Sequence, residues 1–208
     1  MRQMILFDLD GTLWDASVQM NASWEQSFRE LGLPYPGYET LRSNLGRQFI
    51  DVLREWVPDK TEEKRVSILK YCAEAEIVYL KDRPGVLFPG VLETLPVLRE
   101  NYDLGIISNC EPNYIETFLE AMKLTDLFLD IECSGNTLLS KGKNIRLLLD
   151  RNGSPDAVYC GDTAGDLEAA QEAGIPFIHA AYGFGTVPES LPFVSSFPEL
   201  ITAVPSVL

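Results

Sequence analysis

The segment Phe7-Asp8-Leu9-Asp10-Gly11-Thr12-Leu13 sets two carboxylates two positions apart, directly behind the short apolar run 4–7. If that run is a strand of an open α/β sheet, both acids stand at its carboxyl end, where such sheets form their reactive crevice. Two anions held that close at a poorly hydrated edge cost free energy unless a proton or a cation compensates them. A divalent metal is the obvious compensation, and hard oxygen donors with few carboxylates suit Mg²⁺. Gly161-Asp162-Thr163-Ala164-Gly165-Asp166 repeats the arrangement behind a second apolar run, 157–160. Asp166 alone has a plain reading as an acid in the first turn of a helix, at the favourable end of the helix dipole. Asp162 has no such reading and is the better metal ligand. Ile106-Ile107-Ser108-Asn109 adds a hydroxyl and turn amides that can hydrogen-bond phosphate oxygens. Ser140-Lys141-Gly142-Lys143 adds two lysines ahead of a helix, either of which could neutralise a phosphoryl group.

These pieces need a scaffold that brings strand ends together. Apolar runs at 4–7, 104–107, 127–131, 157–160 and 177–181 read as buried parallel strands. Helical patterns at 91–100, 114–122, 144–150 and 167–173 alternate with them, and Gly174 reads as a helix C-cap. Strands alternating with helices predict an α/β fold, a Rossmann-like parallel sheet with helices on both faces. The stretch 16–84 differs. It reads as amphipathic helices at 17–31 and 61–80 with shorter pieces at 41–45 and 49–57, punctuated by Pro34, Pro36 and Pro58. The expected organisation is therefore a core of residues 1–15 and 85–208 with a small all-helical cap, 16–84, inserted after the first strand. A short last strand near 193–194 and a final helix near 199–203 complete the expected elements.

Composition narrows the function classes. The 208 residues carry 17 Lys and Arg against 31 Asp and Glu, a formal net charge of −14. Binding a nucleic acid calls for a basic face that releases counterions, which argues against such a partner. No apolar run approaches the roughly 20 residues of a membrane-spanning helix, and the first residues do not read as a signal peptide. Cys72, Cys110, Cys133 and Cys160 form no CxxC pair and have no histidine at ligand spacing, so zinc is not expected. Scattered cysteines without an export signal suggest the cytoplasm. The single histidine, His179, lies in an apolar run and is expected to be a satisfied residue at a strand end, not a catalytic one.

Taken in chain order, these motifs resemble those of the haloacid dehalogenase superfamily of phosphohydrolases, nearest its phosphoglycolate-phosphatase-like branch. The segment 7–13 resembles the family's DxDGT signature, and 161–166 resembles its GDxxxD motif. The resemblance implies a Mg²⁺-dependent phosphatase acting on a small phosphorylated metabolite. Asp8 would be the nucleophile that forms an aspartyl phosphate. Asp10 would protonate the leaving alkoxide and then activate water. Asp8, the Asp10 backbone carbonyl and Asp162 would hold the metal, with Asp166 helping directly or through water. Ser108, the Asn109 amide and Lys141, or else Lys143, would hold the phosphoryl oxygens.

Asp10 also bears on the reaction. The resemblance implies that dehalogenases lack an acid there, because a halide leaves without a proton. It also implies that phosphonate hydrolysis replaces Asp10 and uses a cap lysine, so Asp10 argues against Lys60, Lys64, Lys70 or Lys81 in that role. A sugar-phosphate mutase needs the same acid and stays open, as does a non-catalytic phosphate-binding protein. In the cap, Asn44-Leu45-Gly46-Arg47 is the expected substrate-facing loop, Gly46 permitting close approach and Arg47 pairing with a carboxylate or second phosphate. Trp14 is expected to pack at the junction of core and cap. Phosphoglycolate, sugar phosphates, nucleotides and pyrophosphate all remain open as substrates.

Overall fold

Every residue of the first strand is buried, which places Met4–Phe7 (β1) at the centre of the sheet. The computed structural model describes residues 2–154, 156–188 and 190–208. After β1 come a two-residue strand, Trp14–Asp15 (β2), and four helices, Ser17–Glu30 (α1), Tyr38–Arg42 (α2), Phe49–Trp56 (α3) and Glu62–Asp82 (α4). The chain returns through Val86–Leu87 (β3) and Val91–Asn101 (α5) to Asp103–Ser108 (β4) and Tyr114–Met122 (α6). Asp130–Cys133 (β5), Ser134–Thr137 (α7), Lys141–Asn152 (α8), Ala157–Gly161 (β6) and Ala164–Ala173 (α9) follow. Phe177–Ala180 (β7), Phe193–Val194 (β8) and Leu200–Val207 (α10) end the fold.

Six strands form one sheet in the order β5-β4-β1-β6-β7-β8, and all of its pairings are parallel. The predicted Rossmann-like α/β architecture is the one observed. Alternation along β1 divides its side chains between two apolar layers. Ile5 and Phe7 point into the larger one with Ile106, Val158 and Phe118, while Met4 and Leu6 meet Ile107, Leu148 and Tyr159 on the opposite face. That is the signature of a strand covered on both sides.

The helices between β2 and β3 carry an aromatic cluster of their own. Trp24 of α1 lies 4.5 Å from the Phe49 ring and 6.2 Å from Trp56 of α3, contacts that add about 0.5–1.5 kcal/mol each beyond burial. The large apolar layer runs without a break from this cluster into the sheet.

Several boundaries differ from expectation. The strand expected at 127–131 is β5, Asp130–Cys133, and Thr125–Leu127 forms a 3₁₀ turn. The apolar signal was displaced because Phe128 packs edge-on to Phe7, at 6.4 Å, from a position just ahead of the strand. The helix expected at 144–150 starts at Lys141, because the Ser140 hydroxyl accepts from the Lys143 amide as an N-cap. The one expected at 167–173 starts at Ala164, where Thr163 and Asp166 form a capping box. The short helix expected at 41–45 lies at Tyr38–Arg42, directly after Gly37. The antiparallel pair Trp14↔Leu87 and Asp15↔Val86, which ties the entry and exit of the helical segment together, carried too few residues to show a period. His179 lies one residue from the end of β7, as expected, with the Asp162 and Gly185 backbones close enough to act on its ring.

Candidate active site

The sheet reverses its chain order at β1, with β4 on one side and β6 on the other. The register sets Phe7 beside Ile106 and Cys160, so the residues just beyond these strands share one edge. That is the topological switch point at which α/β sheets bind ligands, and it gathers Asp8, Ser108 and Asp162.

Gly11 lets the chain turn back over Asp162. Its φ is +88°, and a Cβ there would stand 2.4 Å from the Asp162 Oδ2, so a side chain is excluded on conformation and on space. Asp8, Asp162 and Asp166 each offer a carboxylate oxygen within 4.8 Å of the others. Lys141, at the start of α8, donates to Asp8 Oδ1 at 2.9 Å and to Asp166 Oδ1 at 2.6 Å. Lys143, two residues on, is exposed, which separates the two lysines that the sequence left open. Asp166 also accepts from the Thr163 amide and hydroxyl, at 2.9 and 2.7 Å. It is therefore both the helix acid that its position suggested and a partner of Lys141.

The electrostatics follow from crowding. Burial, with Asp166 and Asp162 nearby, pushes the Asp8 carboxyl well above its usual range, and Lys141 pulls back against them. Burial and Asp166 raise Asp162 to about 6, although the Phe184 and Gly185 amides favour its ionised form. Burial works against the Lys141 charge, but Asp166 and Asp8 outweigh it and hold that charge firmly. Asp8 Oδ2 and Asp162 Oδ1 are buried with no hydrogen-bond partner among the described residues. Unpartnered, hard oxygen atoms on converging acids are the donor set that a small dication satisfies, so these residues fit Mg²⁺.

Asp10 stands apart from this cluster of acids. Burial raises its pKa to about 7, against a hydrogen bond from the Tyr114 hydroxyl at 2.8 Å. Ser108 Oγ accepts from the Cys110 amide at 3.3 Å. The Asn109 side chain is committed elsewhere, donating to the Gly46 carbonyl at 2.9 Å and accepting from Ser134 at 2.7 Å. Gly46, with φ of +86°, brings the loop between α2 and α3 to within 3.2 Å of Thr163 for a Cβ built there. Arg47 lines the cavity over Asp8 and Asp10, and its guanidinium is held by Glu55 at 2.5 Å and by the Asn44 side chain. Trp14 is fully buried and packs on Phe118 at 4.9 Å, as expected of a junction residue.

Sequence reasoning missed five contributing residues. Tyr114, which bonds Asp10, follows Asp10 by 104 residues, and no local pattern reveals it. Trp24 and Glu76 line the cavity from α1 and α4 but read as ordinary members of amphipathic helices. The Phe184 and Gly185 amides hold Asp162 Oδ2 at 2.7 and 3.1 Å; the run Tyr182-Gly183-Phe184-Gly185 behind a strand was a legible sign of a backbone nest.

Comparison with known proteins agrees with this geometry. The family described as haloacid dehalogenase-like hydrolase matches residues 5–180. Phosphoglycolate phosphatase of Synechococcus elongatus is 31% identical over 214 residues, covering 98% of this chain and 94% of that protein. The crystal structure of a predicted phosphatase from Clostridium acetobutylicum superposes with a TM-score of 0.84 at 23% identity, covering 99% of both chains. CbbY from Rhodobacter sphaeroides, solved in complex with xylulose-(1,5)bisphosphate, has a TM-score of 0.81 at 19% identity over 96% of both chains. With its acids gathered at the switch point and most of its length matched, the chain belongs to the haloacid dehalogenase-like hydrolase family and is an enzyme of the hydrolase class.

Proposed function

We propose that the protein is a Mg²⁺-dependent phosphatase that hydrolyses the phosphate monoester of a small molecule through a phosphoryl group carried on Asp8. The observation that carries this reading is the placing of Asp8 between Lys141 and the unpartnered Asp162 oxygen, with a separate, protonatable Asp10 in the same cavity. Asp8, the Asp10 backbone carbonyl and Asp162 would hold the metal, with Asp166 behind them. A bound Mg²⁺ would supply the positive charge that keeps these acids ionised and offsets charge on the phosphoryl oxygens.

A carboxylate oxygen of Asp8 attacks phosphorus, and the bond from phosphorus to the ester oxygen breaks. The leaving alkoxide takes the Asp10 proton. A carboxyl near 7 is poised for this, because it holds its proton at neutral pH yet gives it up readily. Water then attacks the Asp8-bound phosphorus and returns a proton to Asp10, releasing inorganic phosphate and free Asp8. Lys141, the Ser108 hydroxyl and the Asn109 backbone amide steady the phosphoryl oxygens. Arg47 meets the substrate from the helical side when it is drawn from Glu55.

Residues 16–84 act as a cap over this chemistry, and core residues 1–15 and 85–208 perform it. Four free cysteines, Cys72, Cys110, Cys133 and Cys160, fit a reducing cytoplasm. The experiment is phosphate release from p-nitrophenyl phosphate with Mg²⁺. The wild type turns it over, and Asp8→Asn lowers kcat at least ~10³-fold. Equal rates in the two proteins would remove Asp8 as nucleophile.

A further inference from the structure

Two buried polar atoms in the helical wall of the cavity have no hydrogen-bond partner among the described residues. Glu76 of α4 is 5% exposed and its Oε1 accepts no hydrogen bond from the described residues. Trp24 of α1 is 1% exposed and its Nε1–H donates none. Both side chains line the same cavity as Asp8, Asp10 and Ser108. The indole N–H stands near enough to temper the rise in the Glu76 pKa, yet no hydrogen-bond geometry joins the two. A donor and an acceptor left open in one wall of the cavity offer a matching ligand group two hydrogen bonds.

The chemistry of that group follows from the pair. A hydroxyl accepts from the indole and donates to the carboxyl, satisfying both atoms at once. A carboxylate can only accept. It would also have to draw Arg47, the one cation of the lining among the described residues, from Glu55 to balance its charge. An ammonium can only donate and would leave the indole open.

We propose that Trp24 and Glu76 form a subsite for a hydroxyl on the alcohol part of the substrate, so that polyol and sugar phosphates are selected over esters whose leaving group bears a carboxylate. This rests on the phosphatase reading for its reaction but not for its binding order. It separates the chain from the substrate in the name of its 31% identical relative.

The test is calorimetric binding to the Asp8→Asn protein with Mg²⁺, where no turnover intervenes, using glycerol 3-phosphate, ethyl phosphate and phosphoglycolate. Glycerol 3-phosphate should bind about tenfold more tightly than either of the others, the worth of one well-made buried hydrogen bond. Adding Glu76→Leu should bring the ratios to within about threefold, and Glu76→Gln, which keeps a carbonyl acceptor, should hold most of the preference. The Trp24 indole N–H resonance should move downfield with glycerol 3-phosphate and not with ethyl phosphate. Equal binding of the three esters, tighter phosphoglycolate binding, or ratios unmoved by Glu76→Leu would each overturn the subsite. Should the wild type release phosphate from none of the esters while this order holds, the hydrolytic reading would fall and the subsite would stand.

Discussion

Glu76 stands out at the scale of single residues, because burial raises its pKa to about 8, helped by Asp10 and opposed by Trp24. The folded chain then keeps a proton that the unfolded chain has released between about pH 5 and 8. Fewer protons on the unfolded state mean that stability falls as pH rises through that window and levels off above it. Glu76→Leu should remove this share of the fall and stabilise the protein at pH 8 by roughly 1–3 kcal/mol. Urea unfolding of both proteins at pH 5 and pH 8 checks it; an unchanged difference between the two pH values would refute it. A substitution that strengthens the fold while spoiling selection is what a functional polar group in an apolar wall implies. At this scale the sequence was legible where chemistry is local. Asp8, Asp10, Asp162 and Asp166 announce themselves by spacing and by their place behind strands, whereas Lys141 stood beside Lys143 as an open choice until burial separated the two. Tyr114, Trp24 and Glu76 do not announce themselves, because each reaches the cavity through tertiary packing.

Among the elements, α9 shows how one local device serves two purposes. Its capping box satisfies the Thr163 and Asp166 amides and also fixes the Asp166 carboxylate that pairs with Lys141. Thr163→Ala should cost about 1 kcal/mol and lower the Tm by roughly 2–4 °C, read by thermal unfolding; a Tm unchanged within error would show the cap to be idle. Buried parallel strands and amphipathic helices were readable because their apolar periods are strong. The start of β5 was not, because Phe128 is apolar for reasons of packing just outside the strand. Helix starts at Lys141 and Ala164 were hidden by the polar residues that cap them. The ribbon of β2 and β3 is two residues long on each side and leaves no periodic trace.

For the whole molecule, the cavity between helices and sheet is about 30 Å³, room for water but far below the several hundred Å³ of an ordinary ligand site. A phosphate ester therefore enters only when the helical wall withdraws. Amide hydrogen exchange across residues 44–48 should slow several-fold when inorganic phosphate and Mg²⁺ are added, while the centre of the sheet stays unchanged; uniform exchange in both regions would argue for a fixed wall. The Asn109 bond to the Gly46 carbonyl and the Gln48 bond to the Leu139 carbonyl are polar latches that such withdrawal must break. The ribbon that pairs Trp14 with Leu87 and Asp15 with Val86 has an evolutionary corollary. Because the excursion departs and rejoins side by side, a different helical module could be grafted between these two points without shifting any strand of the main sheet. Which molecule is chosen and how its phosphate is removed are thereby inherited as separable traits, and a chimaera that swaps only the grafted segment should change its appetite while keeping its chemistry.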